Sequence, residues 1–104
     1  MIRKAFVMSV NLGAEAEYTR RHNPIWPELE ATLKAHGVRN YSIFLLEKTR
    51  QLFAYVEIAS ERQWDAISAT PECREWWRSM AAIMPHNADG SPVADEIREV
   101  FHLD

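Results

Sequence analysis

The stretch VRNYSIFLLEKTRQLFAYVEI, residues 38–58, indicates a β-hairpin in the middle of the chain. Two alternating segments, Val38–Leu46 and Leu52–Ile58, are joined by the short polar segment Glu47–Gln51, which is the pattern of two antiparallel strands and their turn. Because side chains alternate along a strand, Tyr41 shares one face with two aliphatic residues. The hairpin therefore fixes two neighbouring strands around which the other elements can be placed.

A strand and two helical segments are predicted before the hairpin. Ile2–Val10 is apolar on both of its faces, which indicates a strand covered on both sides. Ala14–His22 reads as a helix, and a second helix begins with Pro27 in its first turn. Gly37 is suited to end that second helix.

The segment after the hairpin predicts two more helices and a last strand. Ser60 is a preferred helix-capping residue, Pro71–Met84 follows as a longer helix, and Ile97–Leu103 is expected to be the final strand. The order strand, helix, strand, strand, helix, strand predicts one α+β domain, residues 1–104, with the ferredoxin-like βαββαβ arrangement. Its antiparallel sheet would carry helices on one face. The other face is apolar enough to favour a homodimer.

Composition excludes several classes of partner. The net charge of −3 without a basic stripe argues against nucleic acid, and no apolar run approaches the ~20 residues that span a membrane. The single cysteine, Cys73, cannot form an internal disulfide and fits a cytoplasmic protein. The histidines lack metal-ligand spacing and the few glycines form no phosphate loop, so we expect no metal and no cofactor.

Tyr18 and His22 are the first candidate functional pair. Residues four apart on a helix lie on one face, so both side chains would point into the same volume. A histidine beside a phenol can move protons near neutral pH. A half-buried tyrosine beside a solvated histidine is the alternative, although the helix offers a core little else, which is typical of a helix bordering a cavity or an interface.

Trp76, Trp77 and Tyr41 are further candidates. Adjacent residues on a helix diverge by about 100°, so the two indoles cannot fill one hole. The plainer interpretation places both in the core. The other keeps one in the core and brings the second to the edge of a pocket, because each buried indole N–H needs a partner. Tyr41 is either a core residue or a wall of the same cavity. Taken alone, these residues indicate proton transfer on a small neutral ligand.

Several motifs carry a resemblance to a known family: RKAFVM (3–8), YTRRHNPIWPELE (18–30), WW (76–77), MP (84–85), SPV (91–93) and EVF (99–101). On these the chain resembles L-rhamnose mutarotases, which are dimeric α+β barrel enzymes, nearly from end to end. The resemblance implies interconversion of the α and β anomers of L-rhamnose without a cofactor. It places the sugar contacts on Tyr18, Tyr41, Trp76 and Trp77, and the proton donor on His22.

Two other functions remain open from the sequence. One is a different enzyme of the same fold and size, such as a cofactor-free or haem-degrading monooxygenase. The other is a non-catalytic sugar-binding or protein-binding module. The fold does not choose among them, because function belongs to the site and not to the architecture. The identity of the group that takes the anomeric proton is also open, with Tyr18 or a bound water as candidates.

Overall fold

A computed structural model describes residues 1–104. Its strands are β1 (Ile2–Ser9), β2 (Val38–Leu46), β3 (Gln51–Ile58) and β4 (Asp95–Ile97), and its helices are α1 (Glu15–Arg21), α2 (Pro27–Ala35), α3 (Glu61–Ile67) and α4 (Pro71–Met80). The sheet order is β2-β3-β1-β4, and every neighbouring pair is antiparallel. The predicted ferredoxin-like α+β fold is confirmed. None of the helices is both long and apolar enough to cross a membrane.

The two faces of the sheet differ in what covers them. On the face that packs under the helices, Leu52, Val56 and Ile58 of β3 are at most 1% exposed. On the opposite face Phe44 of β2 pairs with Phe53 of β3, and Phe44 is 66% exposed. Residues paired across an antiparallel ladder share a face, so this apolar side continues across the sheet.

Local signals set the helix boundaries where the sequence predicted them. The Ser60 hydroxyl accepts the backbone N–H of Gln63 at 3.1 Å, which caps α3. Gly37 follows α2 with φ +81°, and a Cβ there would lie 2.6 Å from the Cβ of Ala59. Glycine is therefore required both by the left-handed backbone and by the close approach of α2 to the end of β3.

Two predicted boundaries at the carboxyl end of the chain are wrong. Helix α4 ends at Met80 and not at Met84, because the chain tightens into turns ahead of Pro85, whose ring disfavours helix in the residue before it. The last strand is Asp95–Ile97 and not Ile97–Leu103. These three residues pair with β1, and the segment 98–104 has no regular secondary structure.

Strand β2 contains a bulge that simple alternation did not predict. The pairing with β3 shifts between Arg39 and Ser42, and Asn40 has φ +49°. Two residues, Asn40 and Tyr41, therefore stand opposite one residue of β3. The extra residue keeps Val38 in the core and still turns Tyr41 toward the helices, so the bulge orients a candidate site residue.

Candidate active site

A cavity of about 970 Å³ lies between the helices and the covered face of the sheet. Its lining is mostly hydrophobic and includes every residue predicted for the site: Tyr18, His22, Tyr41, Trp76 and Trp77. A largely apolar cleft with a few convergent polar groups is the usual form of a small-molecule site. The elements that meet here are α1, α4 and β2, so residues far apart in sequence share one space.

Tyr18 and His22 form a stacked pair at the carboxyl end of α1. Their ring centroids are 4.3 Å apart with an interplanar angle of 30°. Trp76 of α4 meets His22 edge-on, with centroids 5.1 Å apart and an angle of 89°. Trp26 then meets Trp76 at 5.1 Å and 87°. The imidazole is thus enclosed by aromatic rings from two helices, and Tyr18 itself is only 7% exposed.

A backbone hydrogen bond fixes which nitrogen of His22 carries the proton. His22 is the residue that caps the end of α1, and its Nδ1 lies 2.7 Å from the carbonyl oxygen of Tyr18. A carbonyl oxygen can only accept a hydrogen bond, so Nδ1 carries a proton and is the donor in this bond. Burial lowers the pKa of His22 from its ordinary 6.5, while the bond to the Tyr18 carbonyl opposes this in part. At neutral pH the ring is therefore uncharged, and Nε2 presents a free lone pair.

The phenols of Tyr18 and Tyr41 are held in their protonated form. Burial raises the pKa of both hydroxyls well above the usual 10, because the phenolate would be poorly solvated. Among tyrosines, only Tyr55 on the other face of the sheet donates within the protein, to Glu57 at 2.8 Å. The hydroxyls of Tyr18 and Tyr41 have no protein partner, yet neither is sealed from accessible space. Both can therefore bond to a ligand in the cavity.

The structure corrects both interpretations of the tryptophan pair. Neither Trp76 nor Trp77 is a fully buried core residue, and each is half-buried. Trp76 packs beside the core cluster that contains Tyr18, whereas Trp77 packs beside a second cluster that contains Cys73. Their rings diverge as adjacent helical residues must, but the cavity is wide enough for both to line it. The two indoles therefore contribute to different parts of the cavity wall.

Sequence reasoning missed several residues that line the same cavity. Trp64 of α3 lies against Tyr41, with ring centroids 6.1 Å apart, and it lines the cavity as well. Lys4 of β1 bonds to Glu61 at 3.2 Å and also to Glu96 of β4. We call Lys4 and its partner Glu96, which both line the cavity, the charged end of the cavity. Strand alternation could have placed Lys4 with Phe6 and Met8, but its acidic partners are distant in sequence.

The site residues include no cluster suited to a metal. No group of three or more histidine, cysteine or acidic side chains converges anywhere in the chain. Cys73 is a free thiol, 6% exposed, and burial raises its pKa to about 11. A thiol that stays protonated is a poor nucleophile, so Cys73 contributes packing to the cavity wall.

Comparison with solved structures shows how widely the architecture is shared. A putative antibiotic biosynthesis monooxygenase from Bordetella bronchiseptica has a TM-score of 0.68 over 95% of this chain and 96% of its own, at 12% identity. At that identity the likeness concerns the fold alone. The comparison therefore shows that a monooxygenase can have this fold, and it gives no evidence that this chain has a monooxygenase site.

More specific matches cover the whole chain. The crystal structure of an L-rhamnose mutarotase from Formosa agariphila matches with a TM-score of 0.92 and 38% identity, covering 100% of both chains. L-rhamnose mutarotases from Opitutus terrae and Yersinia pestis are 67% and 60% identical, over the full length of each sequence. The family model for L-rhamnose mutarotase matches residues 3–103. This chain belongs to the L-rhamnose mutarotase family.

Proposed function

We propose that this chain, as one domain of residues 1–104, interconverts the α and β anomers of L-rhamnose. Membership of the mutarotase family gives the reaction and the sugar. The observation that carries the mechanism is His22, an uncharged imidazole with one free nitrogen inside an aromatic cavity. Tyr18, Tyr41, Trp76 and Trp77 are proposed as the sugar contacts.

The reaction requires a proton to move between two oxygens of the sugar. Ring opening breaks the bond from the anomeric carbon to the ring oxygen, while the anomeric hydroxyl loses its proton and becomes the aldehyde oxygen. The ring oxygen receives a proton and becomes a hydroxyl. Rotation about the adjacent carbon–carbon bond and closure by the reverse steps give the other anomer. No electron is transferred, so general acid–base catalysis is sufficient.

His22 can serve both oxygens with one atom. The anomeric oxygen and the ring oxygen are bonded to the same carbon, so both can lie within hydrogen-bond reach of Nε2. We assign Nε2 first as acceptor of the anomeric proton and then, in the imidazolium form, as donor to the ring oxygen. Burial lowers the pKa of His22, so the uncharged ring is the resting state and the imidazolium readily gives its proton away.

Tyr18 is a hydrogen-bonding residue in this scheme and not the base. Burial keeps the pKa of its hydroxyl far above neutral pH, so no useful fraction of phenolate is present. Its hydroxyl and that of Tyr41 can bond to sugar hydroxyls, while Trp76 and Trp77 offer apolar faces to the ring and to the methyl group of rhamnose. In this proposal His22 takes the anomeric proton in place of Tyr18 or a bound water.

The uncovered sheet face supports the predicted homodimer. Phe44 and Ile97 are 66% and 42% exposed on that face, and the carboxyl-terminal segment adds Phe101 at 77%. Exposed aromatic and aliphatic side chains on one surface are typical of an interface with a second copy. Arg3, on the same face, bonds to Glu99 through two guanidinium nitrogens at 2.7 and 3.1 Å, which holds the segment beside it.

Sedimentation of the whole chain tests the dimer. We expect twice the mass of one chain for the unmodified protein and a shift toward the monomer for Phe44→Asp. Leu12→Asp is the matched control, because Leu12 is 80% exposed but lies in the turn after β1. A single-chain mass for the unmodified protein would refute the dimer.

We also propose a cytoplasmic location. The support is Cys73, a free thiol without a second cysteine to pair with, as is usual in reducing compartments. Fractionation of cells that express the chain from its own gene tests this location. Recovery of the chain outside the cytoplasmic fraction would contradict the proposal.

NMR exchange spectroscopy of L-rhamnose tests the activity. The anomeric proton signals should exchange faster when the protein is added, and a series with L-fucose, galactose and ribose measures how selective the acceleration is. A haem-degrading relative would instead shift the Soret band of added haem, and a binding module would bind the sugar without accelerating exchange. An exchange rate equal to that of buffer would overturn the mutarotase proposal.

A further inference from the structure

The helices that carry the site share little backbone contact. α1 supplies Tyr18 and His22, and α4 supplies Trp76 and Trp77, yet these two helices do not pack along their lengths. The edge contact between His22 and Trp76 is one connection between them. Tyr18 of α1 and Met80 of α4 also belong to one core cluster, so the two helices are held together by side chains.

Arg21, the residue before His22, adds a polar connection between α1 and α4. Its Nη1 donates to the backbone oxygen of Ser79 in α4 at 2.5 Å, and its Nε donates to Glu17 of its own helix at 2.6 Å. The guanidinium is a rigid planar fork, so it can hold both partners in one geometry. The side chain is 27% exposed, in contrast to Arg20, which is 72% exposed.

The acceptor on α4 is suited to a cation. Ser79 lies in the last turn of α4, where the backbone carbonyls lack intrahelical N–H partners and the helix dipole is negative. Ser79 Oγ also donates to the carbonyl of Trp76 at 2.8 Å. The guanidinium is therefore bound one turn from the indole that contacts His22.

Glu17 holds the other side of the guanidinium. Hydrogen bonds from Arg20 and Arg21 lower the pKa of Glu17 to about 2, so its carboxylate is ionised throughout the neutral range. Glu17 lies one turn before Arg21, which keeps the arginine side chain directed along α1. Arg20 uses the same carboxylate at 2.8 Å but has no partner on α4.

We propose that Arg21 is a positioning residue that aligns His22 with Trp76 by joining α1 to the end of α4. The proposal rests on the mutarotase function, because its effect is expressed through the geometry of His22. Arg21 touches no reacting atom in this account. Its contribution is to keep the imidazole nitrogen at the distance from the sugar that proton transfer requires.

The test compares Arg21→Met with Arg20→Met. Both remove a guanidinium from Glu17, but only the first removes the connection to Ser79. We expect kcat for rhamnose exchange to fall about 100-fold in Arg21→Met, as for a misplacement of about 1 Å, with a much smaller change in KM. Arg20→Met should stay within about twofold of the unmodified protein, the range of a surface ion pair.

Two further readouts separate positioning from loss of fold. The NMR signals of the His22 ring should move in Arg21→Met and not in Arg20→Met, since Tyr18 and Trp76 shift them by their ring currents. Arg21→Lys should recover part of kcat, because an ammonium can reach one partner but does not reproduce the fork. If Arg21→Met does not fold, kcat and the His22 ring signals of Arg21→Lys test the positioning role instead.

An unchanged kcat with unmoved His22 signals in the folded Arg21 variants would overturn the positioning role. An unmodified protein that fails to accelerate exchange would instead overturn the proposed function. The His22 signals still report whether Arg21 positions the ring in that case, because they need no activity.

Discussion

The ends of α1 and α2 are built alike, yet only one of them lies in the cavity. His22 and His36 each cap the end of their helix, and in each Nδ1 donates to the carbonyl four residues earlier, at 2.7 and 2.8 Å. Both are half-buried. His22 is enclosed by Tyr18 and Trp76, whereas His36 does not line the cavity.

This comparison shows what local structure contributes and what it does not. The helix end fixes the tautomer of both histidines and leaves Nε2 free in both. The tertiary surroundings distinguish the two: burial lowers the pKa of His22, and His22 lines the cavity. The proton-transfer role that we propose for His22 therefore depends on the cavity that the rest of the fold brings to this helix end.

The largest expected effect separates these two histidines directly. Replacing His22 with glutamine removes the titratable nitrogen, so the acceleration of rhamnose anomer exchange should fall by roughly 10²–10⁴-fold. His36→Gln is the matched control and should retain the unmodified rate. NMR exchange rates for both variants check this, with circular dichroism to confirm the fold. Equal rates in the two variants would remove His22 from the mechanism.

A smaller effect is expected from the phenol stacked on His22. Tyr18→Phe keeps the aromatic ring and removes the hydroxyl, so only one hydrogen bond to the sugar is lost. A neutral bond contributes about 0.5–1.5 kcal/mol, so kcat/KM should fall by about tenfold at most. Tyr55→Phe removes a hydroxyl from the other sheet face and should leave kcat/KM unchanged. A loss as large as that of His22→Gln would show that the Tyr18 hydroxyl takes part in proton transfer.

The smallest effect is expected at the charged end of the cavity. Lys4 lines the same space as His22, but its charge is satisfied by Glu61 and Glu96. Lys4→Met should reduce the free energy of unfolding by about 1 kcal/mol or less, because both carboxylates are largely exposed. The rate of rhamnose exchange should stay within about twofold. A large loss of rate without a loss of stability would assign Lys4 to the sugar site.

Much of the fold could be predicted from local signals. The hairpin of β2 and β3, the caps at Ser60 and Gly37 and the proline at the start of α2 each act within a few residues, so the sequence reveals them. The same holds for the pair Tyr18 and His22, because helical spacing alone places them on one face. Each of these features is determined by residues close to it in the sequence.

Features that depend on distant parts of the chain were not predictable. Strand β4 pairs with β1 through Asp95–Ile97, although the segment 98–104 contains more apolar residues, and no local pattern marks which of the two segments pairs. The bulge at Asn40 depends on the pairing of β2 with β3. The proposed sugar contacts were predicted from the resemblance to a family. The hydrogen bond from Arg21 to Ser79 joins residues 58 positions apart, and no local sequence pattern predicts it.

The pH dependence of rhamnose exchange tests the assignment of His22 most directly. In our account the uncharged ring accepts the anomeric proton, so the rate requires Nε2 to be free. Because burial lowers the pKa of His22 below its ordinary 6.5, the rate should fall as the pH is lowered from about 8 into the acid range, with its midpoint below pH 6.5. The profile is measured by NMR exchange on the unmodified protein, with stability checked at each pH. A rate that rises as the pH falls through this range would show that the charged ring is the resting catalyst, and would contradict the account.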